Sequence, residues 1–149
     1  MVEDEGSAEL IEFLNRAVAR ELQVSVQYML QHSIWVVKAP AKEDSVTDEQ
    51  RKFVGTHFPF WLPGTSLKKI AITEMRHAEA IAERIVRLGG GPTSKPDPIT
   101  ISKTVTEILE INKEVERGAI ELYKKIIEIA ERENDEENHF QTFSNMLKD

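Results

Sequence analysis

The sequence predicts an all-α protein, a bundle of four helices, on three observations. Apolar residues recur at helical spacing in three long stretches and in a shorter fourth at the C-terminus. Segments rich in proline and glycine, among them Gly55 to Gly64 and Gly89-Gly90-Gly91-Pro92, punctuate the stretches. Capping signals stand at their starts, as at Ser7 and at Thr104 with Glu107.

In chain order, the first helix is expected from about Ser7 to about Val37, a run without Gly or Pro that ends before Ala39-Pro40. The connection from Lys38 to Thr65 is long for a helix link. Within it, Thr47-Asp48-Glu49-Gln50 predicts a short helix to about Val54. A shaped loop follows, with His57, Phe58, Phe60 and Trp61 set among prolines and glycines; it is read as a plug over the bundle or a subunit contact, or as a channel or partner-binding element using His57 and Trp61. The second helix is expected from Ser66 to the glycine run at Gly89, and the third from near Thr104 to about Glu133. The segment between them, with Ile99 and Ile101 as expected anchors, reaches about 45 Å when extended. The second helix is only about 35 Å long. The link can therefore cross the whole bundle and let the second and third helices run parallel. A fourth helix opens at about Asp135 with Phe140, Phe143, Met146 and Leu147 on one face. At about 20 Å it is too short to cover its partners, and the expectation is a fourth helix truncated in this chain.

Polar residues interrupt the inward faces at matching places. The second helix reads Leu67, Ile70, Glu74, His77, Ile81, Ile85 and Leu88, with a carboxylate and an imidazole in mid-stripe. The first reads Leu14, Val18, Glu21, Ser25 and Tyr28, and the third reads Leu109, Glu116, Ile120, Tyr123, Ile127 and Ala130. One inward Glu alone is a boundary residue more often than not. Three such faces with a His point to metal, because a buried charge is tolerated when paired or coordinated, and a Glu with a His three residues on can aim two donors at one point.

Composition narrows the field. The chain has 149 residues, enough for one domain with a single core. Cysteine is absent, which excludes disulfides and thiolate-held zinc or iron–sulfur clusters and leaves oxygen and nitrogen as ligands. A net charge of −7, from 19 basic and 26 acidic residues, argues against nucleic acid as the main partner. Basic residues such as Arg84, Arg87, Lys124 and Lys125 read as solvated faces. The acidic N-terminus has no signal-peptide core, and no apolar run approaches membrane-spanning length, so a cytoplasmic protein is expected.

The chain resembles the ferritin-like superfamily, and within it bacterioferritins and Dps-like ferritins. The resemblance rests on Glu21-Leu22 followed by Gln27-Tyr28, on Glu74-Met75-Arg76-His77-Ala78, and on Glu116 followed by Ala119-Ile120-Glu121-Leu122-Tyr123, and it covers most of the chain. It implies a ferritin-like four-helix bundle with a long crossover between the second and third helices. It also implies a di-iron centre with Glu21, Glu74, His77 and Glu116 as ligands, Fe(II) oxidation by dioxygen or hydrogen peroxide, and assembly of copies into an iron-storing cage. Tyr28 and Tyr123 would orient the ligands or serve simply as core tyrosines. The family's second Glu-x-x-His, on the fourth helix, is absent here. In bacterioferritins the Met after this Glu ligates haem across a twofold subunit contact, which makes Met75 a haem candidate; a Met also fills irregular interfaces.

The chemistry stands without the resemblance. Carboxylate and imidazole suit iron, manganese and zinc, and a bridging carboxylate such as Glu74 offsets the repulsion between two close cations. The alternatives are a rubrerythrin-like peroxidase or manganese catalase on the same bundle, and a metal-free helical interaction protein whose inward Glu and His form a polar network. The lack of cysteine speaks against a rubredoxin domain.

Overall fold

A computed structural model describes residues 7–38, 63–101 and 104–133. Three helices account for most of them: α1 (Ala8–Lys38), α2 (Pro63–Arg87) and α3 (Val105–Arg132). Ser7 caps α1 by accepting from the Leu10 amide through Oγ at 3.0 Å, and Thr104 caps α3 by accepting from the Glu107 amide at 3.2 Å. α2 begins at Pro63 rather than at Ser66, because proline fits a first helical position whose N–H has no partner to lose. The short helix expected after Thr47, the loop with His57 and Trp61, and the fourth helix with His139 lie outside the described residues.

α2 stops where the glycines say it should. Gly89 has φ 83°, its amide donates to Val86 O at 3.0 Å, and the Gly90 amide donates to Ile85 O at 2.9 Å, the paired bonds of a left-handed helix stop. Gly90 matters for space as well. A Cβ there would come within 2.9 Å of Ile11 Cγ2 and 3.0 Å of Ile85 Cγ2, so the end of α2 lies directly on the start of α1. Gly90→Ala is expected to destabilise the fold by about 1–3 kcal/mol through overpacking, read as a lower Tm in thermal unfolding.

The pairing of positions gives the topology. Gly90 lies on Ile11, while Ser25 Oγ donates to Ala71 O at 3.0 Å, so α1 and α2 are antiparallel. Gln31 Nε2 donates to Asn112 Oδ1 at 2.9 Å, and Arg132 pairs with Glu9 at the other end, so α3 is also antiparallel to α1 and hence parallel to α2. The connecting segment runs back along α1. Asn15 accepts from the Thr93 amide at 2.7 Å and donates to Gly91 O at 3.1 Å, Ala19 O accepts from the Asp97 amide at 3.0 Å, and Gln27 Oε1 accepts from the Thr100 amide at 3.2 Å. Polar groups of α1 thus hold this strap, because an irregular backbone needs partners for its amides. The apolar anchors expected there contribute less: Ile99 is half-buried and Ile101 is exposed.

Two apolar clusters fill the space between the helices. The larger joins Leu10, Leu14 and Val18 of α1 to Ile81, Ile85 and Leu88 of α2 and to Ala119, Tyr123, Ile126 and Ile129 of α3. The smaller joins Val24 and Tyr28 to Leu67 and Ala71. The inward faces of α1 and α2 follow the sequence reading. That of α3 follows it only in part: Tyr123 and Ala130 are buried as expected, but so are Ile108, Asn112, Ala119, Ile126 and Ile129, whereas Ile120 and Glu116 are exposed and Leu109 and Ile127 only half-buried. α3 carries two adjacent apolar lines about one residue apart, and periodicity alone does not choose between them. Arg84, read as solvated, is buried as well.

Candidate metal centre

Glu21 lies between the two apolar clusters, with Val18 of the larger and Val24 of the smaller three residues to either side of it. α2 carries its own polar pair at the same level, Glu74 and His77, between Ala71 and Ile81. Helical spacing of the apolar residues therefore brings three ligand-type groups to one depth of the bundle. The ligand atoms of Glu21, Glu74 and His77 lie within 4.8 Å of one another. Glu21 is fully buried, and Glu74 and His77 are half-buried.

The bonding within the group is uneven. His77 Nδ1 and Glu74 Oε2 are 3.0 Å apart. Glu21 Oε1 accepts from Arg20 Nη1 at 3.2 Å, while the buried Glu21 Oε2 has no partner unless a proton is shared with Glu74. Two carboxylates that meet away from water need a proton or a cation between them. Burial first, and then the hydrogen bond and negative charge of Glu74, push the Glu21 carboxyl up to about 10. Burial opposes ionisation of Glu74 too, yet its bonds to His77 and Glu21 hold it below the usual carboxylate range. One carboxyl of the pair keeps a proton and the other is ionised.

Glu116 stands outside this close group. It is the exposed carboxylate of the set, reached by Tyr28, whose hydroxyl donates to Glu116 Oε1 at 3.4 Å. Partial burial and the charge of Glu74 both raise the Glu116 carboxyl, so the two glutamates sense each other. Tyr28 is fully enclosed, and burial together with the Glu116 charge keeps its phenol protonated as a donor. Tyr123 is buried with its ring 5.9 Å from the Arg20 guanidinium. Met75, next to Glu74 in the chain, is 47% exposed.

Arg20 is the residue the sequence reading passed over. A signal was available: Ala17, Arg20, Val24, Gln27 and Gln31 form a second line at helical spacing on α1, and all five are buried. A cation on such a line has the same standing as the buried Glu beside it.

The fold and the site define a class: a helical bundle whose long crossover leaves the second and third helices parallel, and which gathers carboxylates and an imidazole at mid-height. The ferritin-like domain family matches residues 64–148, more than half of the chain, and the chain belongs to that family. A bacterioferritin from Desulfovibrio desulfuricans is 33% identical over 133 residues, covering 89% of this chain and 63% of the relative. One from Streptomyces coelicolor is 28% identical over 132 residues, covering 88% of this chain and 67% of that protein. The chain thus spans 63% of the length of the Desulfovibrio protein. Among solved structures, the bacterioferritin of Rhodobacter capsulatus, which has a metal-free dinuclear site and a haem iron, superposes with a TM-score of 0.73 at 26% identity over 97% of this chain and 78% of that one. The Desulfovibrio desulfuricans bacterioferritin, whose diiron site was seen in different catalytic states, gives a TM-score of 0.72 at 31% identity over 95% and 71%.

Proposed function

We propose that this protein takes up Fe(II) at the Glu21–Glu74–His77 group, oxidises it there with dioxygen or hydrogen peroxide, and stores or detoxifies the ferric product within a cage of identical subunits. The observation that carries this reading is the convergence of ligand atoms of Glu21, Glu74 and His77 within 4.8 Å of one another, with Glu21 fully buried. The donor set fits, since two carboxylates and an imidazole suit iron and equally accommodate manganese or zinc. Glu21, Glu74 and His77 would hold the metal, and Glu116 would complete the set by swinging from its place beside Tyr28. Bound iron supplies electrons to the oxidant. The protein's part is to fix the ligands: Tyr28 holds Glu116, and His77 is held against Glu74.

Assembly into a cage is supported by an apolar patch on the α1–α2 side, where Val26, Met29, Leu30, Ile72 and Met75 are all exposed. No helix among the described residues is long and apolar enough to cross a membrane. Met75 on that patch is the candidate haem ligand at a subunit contact. If haem binds there, the purified protein shows a Soret band and Met75→Ala loses it; a band of equal strength in the variant would remove Met75 from that role.

The test of the main reading is anaerobic titration with Fe(II) followed by admission of dioxygen, with the native particle mass measured in parallel. Rapid formation of ferric product in a large symmetric particle is the expected outcome. Peroxide consumption without iron uptake would favour the peroxidase alternative, and a protein that binds no divalent metal would leave the buried network with a structural role alone.

A further inference from the structure

Arg20 is buried to 8% exposure and is anchored on three sides. Nη1 donates to Glu21 Oε1 at 3.2 Å, Nη2 donates to Val115 O at 2.8 Å, and the guanidinium lies 5.9 Å from the centre of the Tyr123 ring. Val115 immediately precedes Glu116, so this one side chain ties a ligand of α1 to the turn of α3 that carries the outlying glutamate. We infer that Arg20 is an internal cation that holds the carboxylates of the site in place when it is empty and loosens the site's grip on a divalent ion when it is filled.

The inference rests on the metal reading above and follows from where the charge is fixed. The bond to Val115 O of α3, the Tyr123 ring and burial to 8% exposure hold the guanidinium beside Glu21 whether or not a metal is bound. It occupies Oε1 alone and leaves Oε2 turned to Glu74. The hydrogen bond from Arg20 thus organises the ligand without closing the site. In the empty state the cation offsets part of the negative charge carried by the Glu21–Glu74 pair and by Glu116. In the filled state the same cation repels the metal. A positive charge fixed beside Glu21 repels an incoming divalent ion, so its effect on loading is unfavourable. A site built in this way releases its ion more readily than the same ligands would without the arginine, which suits a metal that passes through rather than one that stays. Arg20 acts through Glu21 and the Glu116 turn and is a positioning residue.

The experiment is Co(II) binding to the 149-residue chain by calorimetry and visible absorption, with thermal unfolding of the metal-free and Co(II)-saturated protein, for wild type, Arg20→Gln and Arg20→Lys. Arg20→Gln is expected to bind Co(II) about tenfold more tightly, with a lower Tm when metal-free and a larger rise in Tm on saturation. Arg20→Lys keeps the charge and is expected to stay within about threefold of wild type in affinity. Equal or weaker binding by Arg20→Gln would overturn the inference, as would a loss of binding in Arg20→Lys, which would assign the residue to bonding geometry and not to charge. A merely structural arginine would lower both Tm values equally. If Arg20→Gln does not fold, the Arg20→Lys affinity still decides between charge and geometry. Failure of wild type to bind Co(II) at all is a distinct result, which removes the metal reading and this inference with it.

Discussion

Replacing Glu74 by alanine is expected to slow the initial rate of Fe(II) oxidation by at least about a hundredfold, since even groups that only orient metal ligands are worth 10- to 100-fold. Glu74 is the shared member of the site: His77 Nδ1 lies 3.0 Å from its Oε2, and its charge bears on both Glu21 and Glu116. Alanine removes the carboxylate on which the others converge and leaves Glu21 without its neighbour. Glu74 is half-buried, so the cavity is small and the bundle should persist. Stopped-flow absorbance on wild type and variant, with circular dichroism to show equal helicity, makes the comparison. Equal oxidation rates would take Glu74 out of the chemistry, and equal bound metal would also remove it as a ligand.

Glu21→Gln should have the opposite signature, a more stable protein that no longer holds metal. Burial and Glu74 raise the folded-state carboxyl of Glu21 to about 10 from an ordinary 4.5. A raised folded value means that the stabilisation from the neutral form is complete below about 4.5 and is lost progressively as pH rises towards 10. At pH 7 folding must therefore take up a proton at Glu21. Glutamine reproduces the protonated side chain: its carbonyl can accept from Arg20, and its amide can donate towards Glu74, where the proton sits. The gain is on the order of 2–3 kcal/mol at pH 7, or roughly 5 °C in Tm, and it should vanish near pH 4. Metal should reverse the ranking, because wild type gains from loading and the variant, lacking an anionic ligand, does not. Unfolding curves at pH 4 and pH 7, with and without Co(II), test this. A variant less stable than wild type at pH 7 would show that Glu21 is ionised in the empty protein.

The two predictions share a cause that is partly visible in the chain itself. Glu21, Glu74 and His77 declared themselves by interrupting apolar stripes, and two of those stripes are the buried faces of α1 and α2. Glycine at 89–91 marked the end of α2, and Thr104 the start of α3, to within a residue. The length of the strap allowed parallel second and third helices, although only the pairings Gly90–Ile11 with Ser25–Ala71, and Gln31–Asn112 with Arg132–Glu9, establish them.

The third face was beyond reach of periodicity. Leu109, Glu116 and Ile120 lie on one plausible line of α3 and Ile108, Asn112 and Ala119 on its neighbour, and a rotation of the helix by about one residue exchanges them. That rotation is fixed by contacts with α1: Asn112 meets Gln31, Val115 O meets Arg20, and Glu116 is left at the edge beside Tyr28. Arg20 shows the same limit from the other side. Its long side chain can reach water from most surface positions, and it is buried here because partners on a different helix satisfy it. The order of residues along the chain thus determined which helices form, where they stop, and which carboxylates and imidazole break their apolar faces. How α3 turns about its axis, which glutamate joins the close group, and the presence of a cation beside it were decided only when the helices packed, because each depends on a partner distant in sequence.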